Sequence, residues 1–278
     1  MRVMYKKVLK SINLWSNSFT LALGILAFIE TILAVADFKL SDLISLNEWW
    51  IRLLLVLGVF IAIGLIIALF KSYLASQKVE FKIRDTTIII KCGDIFKSQG
   101  WKIIPFNEFY DTNVDDKTIA YNSLNGTFIS DYVSNVDDLR RVITQDYNSL
   151  KQNQSQNSDH LAFPLGHIIT YDDYMLLAFS HFNNNQASLT HHDYEQCLRM
   201  MWSEVSRVYA NRPITMPLLG GGITRFDDVE KTDSYLLNCL LLTLKMSNAR
   251  IYQSITIVLS KEAMKNVNLY DIKTFFKI

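Results

Sequence analysis

Two long apolar runs near the N terminus constrain the fold of this chain more than any other feature. The first covers residues 19–36 and contains Glu30, and the second covers residues 49–70. A helix needs roughly 20 apolar residues to cross a bilayer. We therefore predict transmembrane helices at about 17–36 and 49–70, within an N-terminal region 1–77. A cleaved signal peptide is the alternative for the first run, but a second run follows it and no small-residue cleavage site is clear.

The charges beside the two runs predict how they are oriented. The first 18 residues carry four basic residues and no acid, the linker between the runs is mainly acidic, and lysines follow the second run. Basic flanks stay in the cytoplasm, so we expect both chain ends there. Glu30 is the exception inside a run, because a carboxylate is costly within a membrane. It indicates either a protonated or interfacial group packed in an oligomer, or a group that lines a pore.

Composition narrows the classes of partner. The net charge of +1 gives no electrostatic reason to expect nucleic acid. Cys92, Cys197 and Cys239 are odd in number and far apart, which predicts reduced, buried thiols in a reducing compartment. Because no cysteine and histidine cluster has metal-ligand spacing, we expect no metal site. We also expect no cofactor.

Residues 78–278 are predicted to form one soluble domain on the cytoplasmic side. Apolar stretches typical of strands, such as "TTIIIKCGDIF", "WKIIPFNEFY" and "ITIVLS", alternate with helical patterns. The helix within "VDDLRRVITQDYNSL" is expected to take Asp137 or Asp138 as its N-cap, and a later helix is expected from about Asp228 to Met246. The alternation predicts an α/β sandwich with a mainly parallel or mixed sheet.

A glycine triplet, Gly220, Gly221 and Gly222, follows one of these strands and precedes the last long helix. Backbone N–H groups in such a turn, beside a helix N terminus, can bind an anion, and Arg225 could add charge. The stretch is neither a P-loop nor a dinucleotide-binding fingerprint, because the spacing of both motifs is missing. From the residues alone, a structural tight turn and a phosphate site both remain open.

Four stretches in order give the soluble region a family resemblance. They are "IIIKCGDIF", "GWKIIPFNEFYDT", "SLNGTFI" and "ITMPLLGGGITRF". Together they resemble a macro domain, which carries "GDI" after an early strand, an asparagine loop after the next strand and a glycine-rich phosphate loop after a late strand. The resemblance covers about residues 79–278. It implies a macro-domain-like α/β/α sandwich with a mixed sheet. Because "IPFNEFYDT" stands where macro domains have "VNAAN", the resemblance implies a divergent member and argues against hydrolase activity.

The resemblance also implies a ligand-binding site for an ADP-ribose derivative. Asp94 would accept a hydrogen bond from the adenine amino group, and Ile95 would pack on the adenine; a turn aspartate is the alternative for Asp94. Asn107 would lie near the distal ribose. Asp111 and Thr112 follow in the same loop, where an acid could receive the amine of an amino-acid conjugate or merely cap the loop.

Two further loops would hold the diphosphate. The second glycine loop corresponds to Ser123, Leu124, Asn125 and Gly126. The phosphate loop and its flank correspond to Gly220, Gly221, Gly222, Ile223, Thr224, Arg225 and Phe226. Within that flank, Phe226 would pack near a ribose or belong to the core.

Two spans joined to a divergent macro domain resemble the membrane effectors of Thoeris anti-phage systems. That resemblance implies a non-enzymatic, multi-pass homo-oligomer of the bacterial inner membrane. A partner TIR-domain protein would make the ADP-ribose-derived signal, in one branch histidine–ADP-ribose, and the signal-bound effector would disrupt the membrane and cause abortive infection. The alternatives are a membrane-tethered ADP-ribosyl hydrolase, an effector gated by another nucleotide such as a cyclic oligonucleotide, and a structural anchor.

Overall fold

The computed structural model describes residues 7–35, 48–153, 162–183, 186–222, 224–227 and 231–276. Its helices and strands are, in chain order, α1 (Ile12–Val35), α2 (Trp49–Ala75), β1 (Lys78–Ile83), β2 (Thr86–Cys92), β3 (Trp101–Asn107), α3 (Leu124–Thr127), α4 (Val136–Asn153), β4 (Ile168–Tyr171), β5 (Tyr174–Asn183), β6 (Gln186–Leu189), α5 (His191–Val208), β7 (Ile214–Pro217), β8 (Arg225–Phe226), α6 (Asp233–Met246), β9 (Ile255–Leu259), α7 (Lys261–Asn266) and α8 (Leu269–Phe276). The chain divides into two units, one of Met1–Val79 with Val267–Ile278 and one of Glu80–Asn266.

Helices α1 and α2 of the first unit are long and apolar enough to cross a membrane, by length and composition. They pack against each other through small side chains. Ser18 and Ala22 of α1 are buried, as are Gly64 and Ala68 of α2. A Cβ atom at Gly64 would lie 2.4 Å from Cε1 of Phe19, so only glycine lets this ring lie on the backbone of α2. Small residues are the usual means by which such helices approach closely.

The C-terminal helix α8 belongs to the same unit as these helices, although the sequence placed it in the soluble domain. Asp271 accepts a hydrogen bond of 2.5 Å from Ser11 Oγ, just before α1. Asn17 Nδ2 donates to Tyr270 Oη at 3.2 Å. Both pairs join residues from opposite ends of the chain, so no local pattern in the sequence could have predicted them.

The second unit contains a mixed sheet in the order β1–β2–β9–β7–β3–β5–β6–β8, with β4 also paired to β5. The pairs β2–β9, β9–β7, β7–β3 and β3–β5 are parallel. The strands β4 and β6 run antiparallel to β5. The predicted mixed α/β sheet is therefore confirmed. Parallel pairing also brings the carboxyl ends of β2, β9, β7, β3 and β5 to one edge.

Helices cover both faces of this sheet. Alternate side chains of a strand point to opposite faces, so neighbouring residues of one strand contact different helices. On β5, Leu176 and Ala178 share a core with Leu139 of α4. Phe179, the next residue, contacts the ring of Tyr194 on α5, with centroids 6.0 Å apart. The α/β/α sandwich is thus confirmed.

Two local predictions need correction. The N-cap of α4 is Asn135, whose Oδ1 accepts the N–H groups of Asp137 at 3.0 Å and Asp138 at 3.4 Å. The aspartates lie in the first turn, where their charge favours the helix dipole. Helix α6 begins at Asp233, after the N-cap Thr232, which is later than predicted.

The cysteines are free thiols, and Cys197 and Cys239 are buried. Cys92, which was predicted to be buried, is exposed. It is the last residue of β2, where the burial pattern of the strand gives way to exposed positions. Burial raises the pKa of the Cys239 thiol to about 11, so this cysteine is protonated at neutral pH.

Gly64→Leu should separate the two apolar helices, because the added side chain would displace the Phe19 ring. Overpacking of this kind costs about 1–3 kcal/mol. Thermal unfolding of the detergent-purified chain should show a lower midpoint. The matched control is Gly58→Leu on the same helix, where an added Cβ meets nothing within 4 Å. Equal midpoints for the two variants would contradict the packing described here.

Candidate functional site

A cleft lies at the edge of the sheet where the parallel strands end. Its lining includes Asn107 at the end of β3, Pro217 at the end of β7 and Ser260 directly after β9. Its volume is about 710 Å³. Ligands of open α/β sheets bind in such a crevice beyond the carboxyl ends of the strands.

The glycine loop forms one wall of this cleft. Gly220 has a φ of +80°, which disfavours any residue with a side chain. It is also confined, because an added Cβ would lie 3.2 Å from Leu236 Cδ2. Gly221 and Gly222 are exposed and line the cleft, and Gly221 N–H donates to the Leu218 carbonyl at 3.1 Å. The loop therefore presents bare backbone to a ligand.

The short helix α3 contributes a further part of the lining through Ser123, Leu124 and Asn125. Ser123 is its N-cap, and its Oγ accepts the N–H of Gly126 at 3.0 Å. Gly126 is buried behind the lining, where an added Cβ would lie 2.2 Å from the Ala120 carbonyl oxygen. Gly126 thus lets the α3 segment pack closely, while the residues on either side of it, Asn125 and Thr127, line the cleft.

The asparagine loop after β3 is held by its own side chains. Asn107 lines the cleft, and its Oδ1 accepts the N–H groups of Phe109 at 3.1 Å and Asp111 at 3.3 Å. Its Nδ2 donates to the Asp111 carboxylate at 2.7 Å. Thr112 Oγ1 accepts from Arg140 Nε at 2.9 Å. Asp111 and Thr112 therefore stabilise the loop and do not line the cleft.

Asp94 and Ile95 also lie outside the lining. Asp94 caps the 3-10 turn that follows, and its Oδ1 accepts the N–H of Phe96 at 3.0 Å. Ile95 is buried in the core cluster that packs on α4. An added Cβ at Gly93 would lie 3.8 Å from the side chain of Val258, which does line the cleft. Asp94 is thus close to the border of the cleft, and its contact with an adenine stays a prediction.

The residues after the glycine loop also fall into two groups, those that line the cleft and those that do not. Thr224 and Arg225 line the cleft, and Arg225 Nη1 donates to Gln186 Oε1 at 3.0 Å. Phe226 packs instead against Tyr194, with ring centroids 5.4 Å apart. The predicted ligand residue Ile223 lies outside the described residues.

Sequence reasoning missed several residues of the lining, among them Asp116, Lys117, Phe182, Gln186 and Ser260. Asp115 lies in an exposed turn, where the N–H groups of Thr118 and Lys117 bond to its carboxylate and lower its pKa. Asp116 and Lys117 extend from the same turn into the lining. For Ser260 and Phe182, position at or near a strand end was the available signal.

This chain is similar in sequence to members of one known protein family. The family model described as "Thoeris protein ThsA, Macro domain" matches residues 88–260. The Thoeris protein ThsA of Bacillus amyloliquefaciens (strain Y2) is 32% identical over 237 residues, which cover 81% of this chain and 80% of that protein.

Solved structures similar to this chain include macrodomains of Oceanobacillus iheyensis. The macrodomain with ADP is 14% identical, with a TM-score of 0.45, and the match covers 72% of this chain and 95% of that one. A mutant of that macrodomain with ADPR is 13% identical, with a TM-score of 0.47, and covers 72% and 97%.

Ser123→Ala should loosen α3 without unfolding the domain. Loss of an N-cap costs about 1 kcal/mol, which corresponds to roughly fivefold faster exchange of the local amides. Hydrogen exchange followed by mass spectrometry should therefore rise over residues 123–127. The control is Ser149→Ala on α4, where the hydroxyl only donates to the Gln145 carbonyl within the helix. Unchanged exchange in the Ser123 variant would mean that the cap does not stabilise α3.

Proposed function

Because this chain belongs to the family of the Thoeris protein ThsA, we propose that it is the membrane effector of an anti-phage defence system. Its soluble unit senses an ADP-ribose-derived signal, and its apolar helices act on the membrane. The observation that carries the proposal is the cleft at the carboxyl edge of the sheet, lined by Gly220, Gly221 and Gly222. The apolar helices α1 and α2 supply the second half of the proposal.

The cleft suits a nucleotide diphosphate in size and chemistry. Its volume of about 710 Å³ falls in the usual range for small-molecule and cofactor sites. Exposed backbone at Gly221 and Gly222 permits a phosphate to approach closely, and Arg225 adds a cation beside it. The apolar lining near Val258 and Ala263 would receive the adenine, close to Asp94.

We further propose that the site binds its ligand without turnover. The polar atoms of Asn107 are engaged with Asp111 and the loop backbone, so this side chain is fixed in a structural role. Histidine–ADP-ribose is the favoured conjugate, with Asp116 and Lys117 as the charged groups in the lining that could meet an amino-acid moiety.

Membrane action follows from assembly. In this proposal a TIR-domain protein makes the signal, signal-bound chains form a homo-oligomer in the bacterial inner membrane, and the membrane is disrupted, which causes abortive infection. Glu30 is exposed on α1 and would be buried between chains. The signal can drive this step only if it binds the assembled state more tightly than the resting state.

Gly221→Glu should abolish binding of ADP-ribose derivatives by the full-length chain in detergent. The added Cβ would lie 3.1 Å from the Leu218 carbonyl oxygen, and the carboxylate would add negative charge to the lining of the cleft. Like charges placed together weaken binding by about 100-fold or more. Isothermal titration with ADP-ribose and histidine–ADP-ribose measures the loss. The control is Gln145→Glu, which adds the same charge at an exposed position of α4 outside the cleft.

Other titrants decide between the alternatives. Binding of a cyclic dinucleotide alone would replace the proposed signal with another nucleotide. Release of ADP-ribose from a modified protein by the purified chain would make it a hydrolase. Failure to bind any nucleotide would leave only the interpretation of a structural anchor.

Signal should also trigger leakage of dye from liposomes that contain the chain. Liposomes that contain the Gly221→Glu variant should retain their dye at the same signal concentration. Liposomes that contain Gln145→Glu should release dye as the wild type does. Equal leakage with and without signal, unchanged by Gly221→Glu, would contradict a signal-gated effector.

A further inference from the structure

The ammonium group of Lys231 donates all of its hydrogen bonds to the glycine loop and its flank. Its Nζ donates to the carbonyl oxygens of Gly220 and Gly222, both at 2.8 Å, and also to that of Thr224. An ammonium group has three donors and no acceptor, so these bonds use all of them. The ring of Phe226 lies beside the ammonium, with its centroid 5.9 Å from Nζ.

This lysine does not itself line the cleft, although Gly220, Gly222 and Thr224 do. Their carbonyl oxygens accept the hydrogen bonds of Lys231. The side chain is half-buried, and burial lowers its pKa while Asp233 opposes the shift. A partly buried cation is stabilised here by three carbonyl dipoles and the face of an aromatic ring.

We propose that Lys231 is a positioning residue for the diphosphate of the signal, and this rests on the proposed function. It acts in two ways. It holds three carbonyl oxygens away from the cleft, where their partial negative charge would repel a phosphate. Its own positive charge lies 2.8 Å from the carbonyl oxygens of Gly220 and Gly222, close enough to the lining to attract the phosphates.

Arg225 has a different position from Lys231. Arg225 is exposed, lines the cleft and bonds to Gln186, so a ligand can meet it directly. Lys231 has no free proton to offer a ligand, and its effect on binding passes through the loop. Replacing it should therefore change affinity through charge and loop conformation rather than through a lost contact.

The test measures ADP-ribose affinity of the full-length chain over a series of salt concentrations. Lys231→Met keeps the length of the side chain and removes its charge. It should weaken ADP-ribose binding by about tenfold or more and flatten the dependence of log Kd on log salt, because one cation no longer contributes. Lys231→Gln, which can still donate to two carbonyls, should flatten the salt dependence equally while keeping more affinity.

The control is Lys245→Met, an exposed lysine in the last turn of α6. It should leave both affinity and salt dependence unchanged. If Lys231→Met does not fold, Lys231→Gln carries the comparison, because it retains hydrogen bonds to the loop. Thermal unfolding of each variant identifies which of them are folded.

If the wild type binds neither ADP-ribose nor histidine–ADP-ribose, the proposed function fails and this inference fails with it. If the wild type binds and the neutral variants bind equally well, only the role of Lys231 is overturned. Weaker binding with an unchanged salt dependence would also overturn it, since a lysine that merely stabilises the loop would give that result.

Discussion

The parallel pairing of β7 with β3 and β9 is the constraint on which the rest of the soluble unit depends. It places the glycine loop, the asparagine loop and Ser260 at one edge of the sheet. None of these segments has a conformation that makes a site by itself. Each becomes part of a cleft only because three strands that are distant in sequence end side by side.

Hydrogen bonds within the protein hold the segments that line this cleft. Ser123 caps α3, and a hydrogen bond between Asn107 and Asp111 stabilises the loop after β3. Lys231 donates hydrogen bonds to the carbonyl groups of the glycine loop. A ligand that enters a preorganised site loses less affinity to the ordering of loops. The polar groups nearest the cleft are therefore divided between those that hold its shape and those that remain for the ligand.

This division explains how much of the site could be predicted. The glycine triplet, Arg225 and Ser123 were found because their residue types and their places after strands are local signals. Asp94 and Asp111 were predicted from the same kind of local signal, and they lie outside the lining, where each carboxylate accepts a hydrogen bond from a nearby group. Their contact with a ligand stays a prediction. Lys231 gave no signal, because its hydrogen bonds to the glycine loop join residues seven to eleven positions apart and follow no sequence motif.

At the level of the fold, periodic patterns predicted most strands and helices, since burial of one face repeats along an element. The boundaries were less predictable, as Asn135 shows: it caps α4 in place of either aspartate. The partner of α8 was beyond any local pattern. Its contact with the start of α1 joins Ser11 to Asp271, and only the folded chain brings these together.

The position of α8 in the first unit means that the polypeptide passes between the two units twice, near Val79 and again near Asn266. The soluble unit is therefore inserted within the sequence of the first unit, and both of its ends continue into that unit. The second crossing begins directly after α7, whose Ala263 lines the cleft. Only Val267 and Asn268 separate α7 from α8, so the segment that lines the cleft is covalently continuous with the helix that bonds to the start of α1.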